Sequence, residues 1–196
     1  RIEIDGEHMI ATVEPVTGVP DPGVLEEIRT IEDEVEQLLS EALGFAEEPI
    51  DARWIAEMLR RRMDAEVGVF ADGLTLREVP AGLVHRRELW EASETGANPG
   101  VTEMTGAQLK DLIARGSDEA FAQDTPRPLR GRARGYLRVA GIDPTQIEPE
   151  RRYRVAGSDW ELDPYGGYAQ AEWGLRVRYD FPTIIREAVE QHLAGR

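Results

Sequence analysis

Residues 15–23, PVTGVPDPG, put three prolines and two glycines into nine positions. Proline has no N–H to give to a helix or a ladder, and it restrains the residue before it to extended backbone. Glycine loses more freedom on ordering than any other residue. No regular element runs through such a stretch, so the chain is divided early, into a short arm and a main fold that follows it.

In the arm, RIEIDGEHMIATVEP alternates around Asp5-Gly6, which predicts a hairpin or the end of a sheet. After the break, Asp21 and Pro22 supply an N-cap and a first-turn proline. The helix they open carries Val24, Ile28, Ile31, Val35, Leu38 and Ala42 in alternating steps of four and three, one apolar stripe on an acidic rod. This spacing predicts a solvated face and a core face. Asp51 caps a second predicted helix, DARWIAEMLRRRM, with Trp54, Ile55, Met58 and Leu59 on one side. VGVFA (67–71) is apolar and bounded by Asp72-Gly73, which predicts a buried strand.

Farther on, VPAGLVHRRELWEA reads as a strand end, a turn and a short helix, and VTEM as a strand. TGAQLKDLIARG opens with Thr105 and Gln108 in capping-box spacing. YRVAG predicts another strand, and a last helix from near Pro182 turns Ile184, Ile185, Ala188, Val189 and Leu193 inward. Residues 116–135 show no period and read as loop. Strands and helices mix without a βαβ rhythm. The predicted class is α+β: a single mixed-sheet domain with packed helices (46–196), preceded by a short strand arm (1–20) and a linker helix (21–45).

Charge narrows the function classes. Of the net −15, residues 1–50 hold −12, and such an acidic leader repels phosphate backbones. The counter-signal is RPLRGRARGYLR (127–138), but it lacks an aromatic stacking motif, and 22 Arg to one Lys suggests a coding bias. Nucleic acid is not expected as a partner. The absence of cysteine excludes disulfides and thiolate metal sites. No apolar run reaches the roughly 20 residues of a membrane span, so we expect a soluble chain without one. His8, His85 and His192 are too far apart for a local metal motif, and phosphate-loop, dinucleotide and nucleophile-elbow glycine patterns are missing. His85 reads as a surface or cap residue, and His192 suits the negative end of the last helix. The chain opens at Arg1, with neither Met nor a signal peptide, which predicts a piece of a longer protein.

The order of segments from Asp51 onward resembles the C-terminal domain of the 5′-nucleotidase / UDP-sugar hydrolase family. The resemblance rests on VPAGLVHRRELWEA, VTEMTGAQLKDLI, YRVAGSDW with GGY following, and PTIIREAVEQHL, in the family's order over about three quarters of the chain. It implies that residues 1–15 end an upstream metallophosphoesterase domain and that the following helix joins the two. It implies two divalent metals in that upstream domain and no cofactor in this chain. It also implies an exported bacterial protein (extracellular, periplasmic or cell-surface) whose signal lies upstream. In the family this domain holds the nucleoside end of the substrate, with the base between two aromatic rings.

Carried over residue by residue, scaffold positions match and ligand positions mostly do not. Pro80, Gly82, Thr105, Gly106, Tyr153, Val155, Gly167 and Tyr168 agree with the family pattern. The family's Asn and Arg fall on Ala71 and Leu76, with Arg77 one residue late. Thr95 stands for the first stacking ring, Ala97 for an Asn, and Gly166 for an Asp. Trp160 keeps the second aromatic position, with Asp159 before it and Tyr165 replacing a glycine. The ligand-binding candidates are therefore Trp160, Asp159, Tyr165 and Arg77, with no catalytic and no metal residue. The sequence leaves open whether Trp160, Tyr153 and Tyr168 form a platform for a nucleoside or other aromatic ligand, or core and rim. The expected function is a non-catalytic, substrate-side domain with its ligand contacts largely lost; an intact nucleoside-binding half and a protein-interaction module are the alternatives.

Overall fold

The computed structural model describes residues 2–5, 8–11, 18, 19, 21–93, 95–126 and 132–195. The Gly6 turn position, the His8 side chain, most of the proline-rich break and the first part of the arginine-rich run lie outside the described residues. The chain forms two compact units, residues 1–38 and 39–196.

In the first unit, β1 (Ile2–Asp5) pairs antiparallel with β2 (His8–Ala11), Ile2 opposite Ala11, which is the expected hairpin. Helix α1 (Pro22–Leu39) starts where the Asp21 carboxylate accepts the Gly23 N–H at 2.7 Å. The expected core face is not observed: Val24, Ile28, Ile31, Val35 and Leu38 are all exposed. The helix stops at Leu39, and Ala42 leaves the stripe to open a strand, β3 (Ala42–Ala46).

The second unit is built on five strands. They are β4 (Val67–Ala71), β6 (Pro99–Thr105), β7 (Leu137–Ala140), β8 (Arg152–Ser158) and β9 (Arg178–Tyr179), in the order β7-β4-β8-β6-β9. β4 and β8 run parallel and the other neighbours antiparallel. This is a mixed sheet, as the α+β reading requires. β3 pairs separately with β5 (Gly82–His85) as a two-stranded ribbon.

Glycines show which helix covers which face. A Cβ on Gly68 of β4 would overlap the Ala56 carbonyl of α2 (Ala52–Arg62), so α2 lies on that face at backbone distance. The opposite face carries α4 (Gly106–Ser117), whose Gly116 rests on Leu137, and α6 (Asp159–Leu162), whose Leu162 approaches Gly157. Two further helices, α3 (Arg86–Ala92) and α7 (Ile185–Leu193), pack with the ribbon. The predicted local signals hold: Asp51 accepts the Trp54 N–H at 2.7 Å, and Thr105 and Gln108 close a reciprocal box. Residues 116–135 depart from the loop reading, because Asp118 caps a five-residue helix, α5 (Glu119–Gln123), too short to show a period. The last helix opens at Ile185, after an extended stretch whose Thr183 carbonyl accepts from Asn98 at 2.7 Å.

The core closes around VGVFA, all five residues buried, with Tyr153 and Tyr168 among the largest enclosed side chains. Both tyrosines satisfy their hydroxyls inside: Tyr153 accepts the Glu148 N–H at 2.9 Å and Tyr168 donates to the Gly135 carbonyl at 2.7 Å. Their core reading is the one observed. His85 stands at the N-cap of α3, its backbone N–H donating to Glu88 at 2.5 Å. His192 sits in the last turn of α7 edge-on to Trp54, at 5.3 Å. Burial and the nearby Arg61 and Arg62 lower its pKa. Among the described residues, no helix is long and apolar enough to cross a membrane.

Gly68→Ala must move α2 away from the sheet. We expect a loss of about 1–3 kcal/mol in a denaturant titration; an unchanged midpoint would contradict this packing.

Candidate functional site

Strand directions gather five connecting segments at one end of the sheet. β4, β8 and β9 end there, whereas β6 and β7 begin there. The segments are therefore 72–77, 159–168 and 180–184, with 95–98 and 132–136 entering. Hydrogen bonds stitch them together: Asp72 N–H to the Tyr136 carbonyl at 3.0 Å, Asp159 N–H to Asn98 at 3.0 Å, Asp180 N–H to Pro99 at 2.9 Å and Ile185 N–H to Ala97 at 2.9 Å. In open sheets the ends of parallel strands, where neighbouring connections part, are where ligands bind.

The strands part here. The parallel ladder registers Val67 with Val155 and Gly68 with Ala156, and goes no further. Beyond it, the Ala71 N–H donates at 2.9 Å to the carboxylate of Glu161, which stands in for a strand carbonyl. The other oxygen of Glu161 accepts the Ser158 N–H at 2.7 Å and the Ser158 hydroxyl at 2.5 Å, the capping box of α6. Glu161 is wholly buried, and burial pushes its carboxyl up to about 7 despite these donors.

Three of the four sequence candidates come together. Asp159 and Trp160 open α6, and Tyr165 meets Trp160 edge-on at 5.5 Å. Asp159 is half-buried and accepts the Asn98 N–H at 3.2 Å. Burial raises its pKa against hydrogen bonds from Asn98, the Tyr165 hydroxyl and Trp160 that hold it down. Trp160, however, is only 3% exposed and belongs to the core cluster. Arg77 does not join this group: it pairs with Glu91 at 2.5 Å, and no described contact links it to Asp159, Trp160 or Tyr165.

The backbone also closes the position that Gly166 occupies. A Cβ there would overlap the Trp160 carbonyl oxygen, so no side chain fits without moving α6. Gly73 is required in the same way, lying against the carbonyls of Ala133 and Arg134.

Sequence reasoning missed several residues at this end. Arg132 donates to the Gly73 and Thr75 carbonyls at 2.7 and 2.8 Å. Arg134, nearly buried, donates to Asp124 at 2.8 Å and to the Gly166 carbonyl, and lies 4.3 Å over the Phe121 ring. Arg138 pairs with Asp72 at 2.5 Å. The described part of the arginine-rich run thus holds the connecting segments. Tyr179 and Phe181 were also missed; their rings meet at 5.2 Å. Only Glu161 had a readable signal, the Ser158-x-x-Glu161 box. Among the described residues, no group of three or more His, Cys, Asp or Glu is placed to hold a metal ion.

A family model described as 5′-nucleotidase, C-terminal domain, matches residues 31–181. The uncharacterized metallophosphoesterase YunD of Bacillus subtilis is 23% identical over 180 residues, 82% of this chain and 38% of that protein. A 5′-nucleotidase precursor from Thermus thermophilus superposes with a TM-score of 0.66 at 14% identity, over 90% of this chain and 41% of its own. The NAD nucleotidase of Haemophilus influenzae gives 0.62 at 14% identity, over 89% of this chain and 39% of its own. At these identities the solved structures share the fold, and the chain spans about two fifths of the length of these relatives.

Glu161 generates a stability prediction. The unfolded chain releases this proton near 4.5 and the folded chain near 7, so its contribution is fully present below pH 4.5 and is lost as pH rises through 7. The span amounts to about 3 kcal/mol. Glu161→Gln should remove that slope. Urea midpoints of both chains at pH 5 and 8 check it: a parallel pH dependence in the two would refute the assignment.

Proposed function

The chain belongs to the 5′-nucleotidase C-terminal domain family, and from that membership we propose that it is the non-catalytic, substrate-side domain of a larger phosphoesterase, its inherited ligand contacts largely lost. The observation that carries this reading is the packing at Trp160 and Gly166. Trp160 keeps an aromatic residue where the family stacks a base, yet its ring is withdrawn into the core. The position where the family has an aspartate has no room for a side chain. Ala71, Leu76, Thr95 and Ala97 leave the other contacts without polar or aromatic groups of the inherited kind. Each missing polar contact weakens binding by roughly 1–3 kcal/mol.

In this reading the scaffold persists because it covers or supports an upstream metallophosphoesterase domain, which carries the divalent metals and does the hydrolysis. The parent is an exported protein acting on nucleotides or related phosphate esters outside the cytoplasm. A second reading, a protein-interaction module, draws on the exposed apolar stripe of α1. A defined complex in light scattering, unresponsive to nucleotides, would favour it.

The purified chain with Mn²⁺ or Zn²⁺ should not hydrolyse AMP above the buffer rate, and AMP should give no saturable heat up to about millimolar concentration, the limit of a weak complex. Turnover would overturn the non-catalytic assignment, and saturable AMP binding would overturn the loss of inherited contacts.

A further inference from the structure

A cleft of about 570 Å³ opens where the last turn of α2, the last turn of α7 and the edge strand β9 meet. Arg62, Arg178 and His192 line it, together with Asp180, Tyr179 and two methionines, Met58 and Met63. Asp159, Trp160 and Tyr165 do not line it, so the cleft lies apart from the group that opens α6.

In a chain of net charge −15, the balance in this cleft runs the other way. Its one carboxylate, Asp180, is already engaged: Arg62 donates Nε and Nη2 to the same Asp180 oxygen at 2.9 and 2.7 Å. Arg178 is exposed, and among the described residues its side chain has no hydrogen-bond or ion-pair partner. Burial lowers the His192 pKa, and the charges of Arg61 and Arg62 add to this, so a positive field from α2 reaches the imidazole. Met58 and His192 also line a neighbouring cleft of about 770 Å³, whose wall carries five carboxylates, among them Glu47, Glu48 and Glu78. Charge is thus sorted between two adjoining clefts, and the one beside β9 is the one that attracts anions.

A guanidinium presents parallel N–H donors that match the two oxygens of a carboxylate. Arg62 enters from a helix and Arg178 from a strand, and the volume is that of a site for an organic ligand rather than for a lone inorganic ion. Two cationic walls are satisfied by an anion with two heads. We propose that this cleft binds a small organic dicarboxylate, with Arg178 holding one carboxylate, Arg62 and His192 facing the other, and Asp180 competing for Arg62. The site draws nothing from the loss of inherited contacts around Trp160 and stands or falls without it.

Calorimetric titration of the whole 196-residue chain in low-salt buffer tests it, with succinate, its one-headed counterpart butyrate, and orthophosphate. Succinate should bind saturably and at least about tenfold more tightly than butyrate, the second charge-assisted contact supplying the difference. Arg178→Gln should weaken succinate by about tenfold and leave the thermal midpoint in place, because the side chain it removes is exposed and unpaired. Asp180→Asn should tighten succinate by about threefold, because it releases Arg62; a residue that served the fold alone would give no gain. No saturable succinate binding, butyrate bound as tightly, orthophosphate bound more tightly than succinate, or indifference to Arg178→Gln would overturn the proposal. Arg53→Gln, in the acidic neighbouring cleft, should leave the affinity unchanged. An equal loss there would show that net charge attracts the anion rather than this cleft, and would overturn the proposal as well.

Discussion

The end of the sheet depends on one buried carboxylate. The parallel pairing of β4 and β8 lasts two residues, after which the strands separate and the Ala71 N–H faces the gap. A buried N–H without an acceptor costs about as much as a lost hydrogen bond or more. Bulk water does not reach it, because Ala71 and Glu161 are both fully buried. Glu161 fills the gap, and its second oxygen starts α6 through Ser158. One side chain thereby ends a strand, opens a helix and sets where Asp159 and Trp160 stand.

The same logic explains why arginines collect around the segments. Connections at the end of a sheet have carbonyls that no ladder uses, and a guanidinium offers several donors in a fixed plane. Arg132 takes two carbonyls of the turn after β4, and Arg134 reaches the turn after α6. A run that in composition suggests a basic surface is, in its described part, internal bracing. Arg134 and Arg138 also pair with Asp124 and Asp72, so their charges are spent within these segments.

What could be read from the sequence was whatever has a local cause. Asp51, Thr105 and Asp21 act within three residues of themselves, so their caps were legible. VGVFA was legible because every residue in it is apolar. β3, β7 and β9 were not, since their pairing partners lie far along the chain and the strands are only five, four and two residues long. The family resemblance located the sheet end, through residues whose role is backbone fit: Gly73, Gly106 and Gly167 each sit where a side chain would strike a neighbour. It could not place Trp160, because an aromatic residue at the start of a helix satisfies the pattern whether its ring faces a ligand or the core. Phe181 carried no signal at all: its place beside Tyr179 comes from the turn after a two-residue strand.

Fit of the backbone and chemistry of the surface are therefore separable here. Gly68, Gly73, Gly106 and Gly166 lie against backbone atoms of neighbouring segments, and a side chain at any of them displaces a helix or another segment. The side chains that project from the ends of the sheet answer to no such constraint, because replacing an exposed residue changes little in stability. Such a scaffold can lose one set of ligand contacts and acquire another while the fold remains recognisable. The exposed rings at Tyr165 and Phe181 stand at that free boundary. Trp160, five residues earlier, packs in the core instead.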